Sequence, residues 1–280
     1  MTFLSPTASF LCPEGYAGPR GTRPLLDERR TLIEARTLLC HPVWRGRGVP
    51  RGDGLPVLLI PGFMAGDVSL RFLSRWLGRM GYLTYRSKVH LNIDCTRATV
   101  DRLERRLELM AERERRPVAV VGQSLGGLLA KGIAIRRPDL VAGIVSLGSP
   151  HVAPSAAHRV LLADLALLTA LNRAGLRHVL GADCVRGHCA SEAWRELQQP
   201  YPAGVPFTSI YSRSDGIVDW RACLDPAAEK VEVQSSHIGM AVHPAVYHVV
   251  GERLGAIVRR TTDSQPRRPR VHSSGEAAGS

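Results

Sequence analysis

From residue 55 onward the chain alternates short, unbroken apolar runs with longer stretches of helical period, and this alternation narrows the possible folds more than any other feature. The runs lie at 56–60 (PVLLI), 82–86, 117–121 (PVAVV), 141–147 (VAGIVSL), 206–211 (PFTSIY) and 230–233. A strand that is apolar at consecutive positions is covered on both faces, as in a parallel sheet held between helices. Between the runs, Leu70, Leu73, Trp76, Leu77 and Met80 share one helical face, and Val100, Leu103, Leu107, Met110 and Ala111 share another. The second helix carries Arg102, Glu104, Arg105, Arg106, Glu108, Glu112 and Arg113 elsewhere on its surface, which reads as a solvated, ion-paired face. The predicted class is α/β, with a mostly parallel central sheet flanked by helices.

The alternation sets the domain organisation. Residues 55–258 form the predicted domain, interrupted at 153–200 by a long segment that opens with a strongly apolar helical stretch (VLLADLALLTAL, 160–171) and passes through Gly175, Gly181 and Gly187. An insertion over the edge of the sheet accounts for it. Residues 1–54 read as an N-terminal extension with one helix near 27–40 and a Gly/Arg/Pro-rich connector, RGRGVPRGDG. Residues 259–280 are polar, basic and almost free of large apolar side chains, which predicts a disordered tail.

Composition removes several function classes. With 280 residues, 44% hydrophobic and 22% charged, the chain has an ordinary globular balance. The net charge of +12 invites nucleic acid or an anionic membrane as partner, but the excess is spread over both ends and the body, and aromatic residues are only 5%, too few for base stacking. No run of about 18 apolar residues exists, so no transmembrane helix is expected. The apolar start between Phe3 and Leu11 lacks a basic flank and is interrupted by Pro6, which argues against an export signal and tips the reading toward the cytoplasm. The six cysteines show no C-x-x-C pair and no finger spacing, which argues against zinc. Cys184 and Cys189 are close enough to close a loop disulfide in an exported protein; idle thiols in a reducing compartment are the other reading.

The sequence VAVVGQSLGG holds Gly122, Gln123, Ser124, Leu125 and Gly126, a G-x-S-x-G. The pentapeptide is common by chance. Its setting is not: a strand-like run precedes it and an apolar helical stretch (LLAKGIAI) follows, the strand, sharp turn and helix that lift a serine hydroxyl above the strand ends. Gly122, Gly126 and Gly127 leave room where the strand and helix backbones cross. A serine needs a base, and the base needs a carboxylate to fix its tautomer. Asp215 follows one strand in a Ser/Gly-rich turn, and His237 follows the next, giving the order Ser, Asp, His. Asp219 rivals Asp215 from four residues on; His243 and His248 rival His237 but fall within a helical period. His151, after Ser149 and Pro150, reads as a packing or hydrogen-bonding residue near the pocket.

Through LLIPGF (58–63), GQSLGG (122–127), LGSPH (147–151), IYSRSDGIV (210–218) and SHIGM (236–240), the chain resembles the α/β-hydrolases and, among them, bacterial lipases and esterases. The resemblance implies catalysis by Ser124, Asp215 and His237, with an oxyanion hole from the backbone amides of Leu125 and Phe63, Met64 being the alternative to Phe63. Pro61 departs from the histidine of many lipases while leaving the main-chain donor intact. It also implies a helical cap or lid at 153–200, whose Val160, Leu161, Leu165, Leu168 and Leu171 either cover an acyl chain or form an ordinary buried helix face. The implied activity is hydrolysis of hydrophobic or lipid-like carboxylic esters without metal or organic cofactor, on a small-molecule substrate, with peripheral lipid contact and no nucleic acid. The alternatives are an acyltransferase or thioesterase using the same three residues, and a non-catalytic ligand-binding protein.

Overall fold

The computed structural model describes residues 7–263. In chain order the elements are α1 (Thr22–Asp27), α2 (Thr31–Cys40), β1 (Pro56–Ile60), α3 (Arg71–Arg79), β2 (Leu83–Arg86), α4 (Thr96–Glu114), β3 (Val118–Gln123), α5 (Leu125–Arg136), β4 (Val141–Leu147), α6 (Arg159–Arg173), α7 (Ala182–Arg186), α8 (His188–Leu197), β5 (Phe207–Tyr211), β6 (Glu229–Glu232) and α9 (Pro244–Asp263). All six strands are parallel, in the order β2-β1-β3-β4-β5-β6. The order reverses between β1 and β3, so the loops leaving their C-terminal ends diverge and open a crevice there, the position where ligands bind in open α/β sheets.

The unbroken apolar runs are explained by burial on both faces. Val57 and Leu59 of β1 and Ala119 and Val121 of β3 join a core with Leu73, Trp76, Tyr247 and Leu254 from α3 and α9. Leu58, Ile60, Val118 and Val120 point the other way, against Leu103 and Leu107 of α4 and Leu129 and Ile133 of α5. The edge strands β2 and β6 are largely exposed and read LTYR and EKVE, polar as an edge must be to resist further pairing. The charged face of α4 is ion-paired as its pattern predicts: Arg136 meets Asp101 and Glu104, and Arg137 meets Glu108. A buried pair, Lys131 with Asp225 at 2.6 Å, ties α5 to the loop before β6. Burial alone raises the Asp225 carboxyl, but the Lys131 ammonium outweighs it and holds the group below the usual carboxylate range.

Three regions differ in detail from the sequence reading. In the N-terminal segment α2 begins at Thr31, preceded by a single 3-10 turn (Glu28–Arg30) and the separate helix α1, in whose first turn the missing N–H of Pro24 leaves no bond unmade. This segment joins the main core through Leu38 and Val43, and the Trp76 indole donates to the Val43 carbonyl at 2.7 Å. In the 153–200 segment, α6 turns only Leu165 and Leu168 of its predicted stripe into an apolar cluster; Val160 and Leu171 are exposed, because the helix is packed through its middle alone. Finally, α9 runs five residues past Val258, to Asp263, and the remainder of the predicted tail lies outside the described residues.

Candidate active site

Ser124 sits between β3 and α5 with φ 52° and ψ −121°, a strained conformation for a residue with a side chain, and it is the sharp turn that the flanking sequence predicts. Close packing enforces the neighbouring glycines: a Cβ on Gly122 would meet the Gly126 carbonyl oxygen at 2.3 Å, and one on Gly126 would meet that of Ile60 at 2.2 Å. The turn is pinned to β4, since the Ser124 N–H donates to the Leu147 carbonyl at 2.8 Å.

The next residue after Leu147 is Gly148, and it faces the other two candidates. A Cβ built on Gly148 would lie 3.1 Å from His237 Nδ1 and 3.3 Å from Asp215 Oδ2. Those two side chains are buried and joined, His237 Nδ1 to Asp215 Oδ2 at 2.6 Å. A carboxylate only accepts, so Nδ1 carries the proton and Nε2 is left basic. The second oxygen of Asp215 accepts the amides of Ile217 and Val218 at 2.9 and 2.7 Å, which fixes the carboxylate. Burial pulls the His237 imidazole down, but the charge and hydrogen bond of Asp215, with a further contribution from Glu28, outweigh it and leave the group above its ordinary value. No hydrogen bond joins Ser124 Oγ to His237 in this structure; the histidine and aspartate are in contact, and the serine stands beside them across the Leu147–Gly148 step.

The rivals are engaged elsewhere. Asp219 caps a 3-10 turn through the Arg221 amide and is paired with the Arg221 guanidinium at 2.7 Å. His243 accepts the Ala245 amide, and His248 is exposed on α9 beside Glu252. His151 is wholly buried, edge-on to Phe207 and 2.9 Å from Ser146 Oγ, and burial drives its pKa down to about 3, so it is a neutral packing residue.

Sequence reasoning missed four residues that hold this arrangement. Glu28, from the 3-10 turn before α2, is buried and accepts three backbone N–H groups: Gly216, next to Asp215, at 3.0 Å, and His237 and Ile238, both at 2.9 Å. Its one carboxylate clamps the aspartate and histidine loops together. Glu34, one turn into α2, accepts the amide and hydroxyl of Ser236 at 2.8 and 2.6 Å. Gln123 extends its amide to the His237 carbonyl at 3.1 Å and so links the serine turn directly to the histidine loop. Asn92 braces the loop after β1: its side chain donates to the Pro61 carbonyl at 2.9 Å, and its own carbonyl takes the Met64 N–H at 3.1 Å.

That last bond bears on the choice between the two candidate oxyanion donors, Phe63 and Met64, because it occupies the Met64 amide. The amides of Phe63 and Leu125 make no hydrogen bond among the described residues, and Gly62 passes close to the serine, its Cβ position 3.1 Å from that of Ser124. The Phe63 side chain packs against the 153–200 segment, within the cluster of Leu165, Leu168, Val179, Leu180 and Val185. A hydrogen bond of 2.7 Å from the Leu180 amide to the Ile93 carbonyl fastens the same stretch to the segment that holds Asn92.

In sequence, the chain matches no family model and no curated protein. In structure it is similar to the mature form of the Bacillus licheniformis lipase BlEst2, with a TM-score of 0.52 at 14% identity over 72% of this chain and 91% of the lipase. It overlays the propeptide form of that lipase with a TM-score of 0.53 at 15% identity, over 72% of this chain but only half of that longer one. A chain described with the metagenome-derived lipolytic enzymes LipS and LipT gives 0.51 at 18% identity, over 76% of this chain and 96% of the other. Together with the parallel sheet, its strand order and the serine turn at the end of β3, these likenesses show that the chain has the α/β-hydrolase fold.

Proposed function

We propose that the protein is a serine hydrolase that cleaves hydrophobic carboxylic esters through an acyl-enzyme on Ser124. The observation that carries this reading is the buried His237–Asp215 pair standing beside a strained serine turn, with two uncommitted backbone amides close by. Rotation of the Ser124 hydroxyl toward His237 Nε2 completes the relay; such bonds are often loose before substrate arrives. Nε2 takes the hydroxyl proton as Oγ attacks the ester carbon. The oxyanion is held by the N–H groups of Leu125 and Phe63, each worth a few kcal/mol in the transition state. The imidazolium then protonates the departing alcohol, and water, activated by the same nitrogen, releases the acid. Asp215 keeps the imidazole in the required tautomer and stabilises its charged form.

The apolar cluster around Leu165, Leu168 and Phe63 supports an acyl group rather than a polar one as the moiety bound, with α6 as the cover. The likeness to lipases supports the same class. The test is hydrolysis of p-nitrophenyl esters of rising chain length, with Ser124→Ala alongside. Turnover should be lost in the variant while its melting temperature stays near wild type, and a fluorophosphonate should label Ser124. Wild-type-level turnover in the variant, or failure of the probe to label the serine, overturns the reading.

A further inference from the structure

Three cysteines far apart in sequence meet at one point. Cys95 stands at the N-terminus of α4, Cys184 lies in α7 and Cys189 in α8, and their sulfurs all fall within 4.8 Å of one another, Cys95 and Cys189 at 3.4 Å. All are partly buried free thiols. The absence of C-x-x-C spacing, which argued against zinc in the sequence, is therefore beside the point: the third thiol comes from 94 residues before Cys189.

Two chemistries suit clustered thiols. A disulfide joins two sulfurs at about 2.05 Å and leaves a third without a role. A thiophilic metal ion gathers all three: with metal–sulfur bonds of about 2.3 Å, a tetrahedral ion holds sulfurs about 3.8 Å apart, which falls within the observed spread. The surroundings suit bound thiolates. Cys95 is the N-cap residue of α4, and the positive end of this 19-residue helix favours negative charge there. The other two ligands are set by Asp183, whose carboxylate accepts the amides of His188 and Cys189 at 2.8 and 3.3 Å and so fixes the turn between α7 and α8.

We propose that Cys95, Cys184 and Cys189 form a three-thiolate site for a soft metal ion of the zinc class, which staples the insertion to the body of the domain. The staple lies next to Ile93 and Asn92, so it holds α7 and α8 against the segment that braces the loop after β1. One coordination position remains for solvent. Binding displaces the thiol protons and involves no oxidation.

The experiment uses the full chain, purified under reducing conditions, stripped with a chelator and titrated with Co2+ and then Zn2+. About one equivalent of Co2+ should bind with a thiolate charge-transfer band, and Zn2+ should abolish that band by displacement. Cys95→Ser, Cys184→Ser and Cys189→Ser should each weaken binding by at least tenfold, while Cys40→Ser should leave it intact. Because the first three variants risk misfolding, the wild type supplies a second readout: Zn2+ should lower the number of thiols open to alkylation by three, and a chelator should restore them. A titration without a charge-transfer band, protection of fewer than three thiols, or a Cys95 disulfide in a protein that binds no metal once reduced would overturn the proposal. Ester hydrolysis plays no part in these readouts.

Discussion

Replacing Glu28 with Gln isolates what the clamp between the two loops contributes. The carboxylate accepts three backbone N–H groups at 2.9 to 3.0 Å, and hydrogen bonds to a buried charged group are worth about 1.5–3 kcal/mol each. Glutamine keeps one oxygen. If that oxygen stays with His237 and Gly216, two bonds survive in weaker neutral form, while the new NH2 group faces the Ile238 N–H and that bond is lost. The combined cost is about 3 kcal/mol, or a fall of roughly 6–12 °C in melting temperature for a chain of this size. A loosened histidine loop should also lower kcat about 10- to 100-fold, since misplacing a catalytic group by about 1 Å has that effect. The pH profile separates these consequences. Burial pulls His237 down, while Asp215 and Glu28 hold it up, and hydrolysis needs the neutral imidazole. Losing the Glu28 charge must therefore move the acid limb of the rate profile to lower pH. Initial rates on a chromogenic ester across pH 4–9, together with thermal melts, measure both. A variant that melts within about 1 °C of wild type with an unmoved acid limb would refute the clamp.

Two other substitutions test different parts of the structure. Asn92→Ala removes the brace on Pro61 and should lower kcat about tenfold with little change in KM, because the Phe63 amide acts only once the oxyanion forms; an unchanged kcat would argue against Phe63 as donor. Lys131→Met leaves Asp225 buried without its cation and should cost about 3–5 kcal/mol in urea unfolding, with most of it recovered in the double variant Lys131→Met/Asp225→Leu. Because Asp225 is depressed in the folded state, this pair contributes stability above the unfolded carboxylate pKa of about 3.9 and loses it as pH falls through the folded value; the single variant should lack that acid dependence.

Much of this was legible because burial on both faces writes itself into consecutive residues. β1 and β3 are apolar at every position that faces a helix layer, and α3 and α4 keep their stripes in register with the core. The serine turn was legible because strand and helix backbones exclude side chains at Gly122 and Gly126, a local demand that leaves a local mark. The supporting residues left no such mark. Glu28 and Glu34 sit among arginines in a short helical segment, and their partners lie 188 to 210 residues away. Cys95, Cys184 and Cys189 failed every spacing rule for the same reason. The stripe on α6 left open which of its residues are covered, because a period shows that a helix is amphipathic but not how much of its length is packed; Val160 and Leu171 are exposed.

The clamp at Glu28 also bears on when such a protein becomes competent during its synthesis. The carboxylate emerges from the ribosome well before the amides that satisfy it, which arrive with residues 216, 237 and 238. Until then water solvates the charge, and burying the Glu28–Arg30 turn without those amides would be costly. A product truncated before the histidine loop thus lacks two of the three amides that allow this turn to be buried.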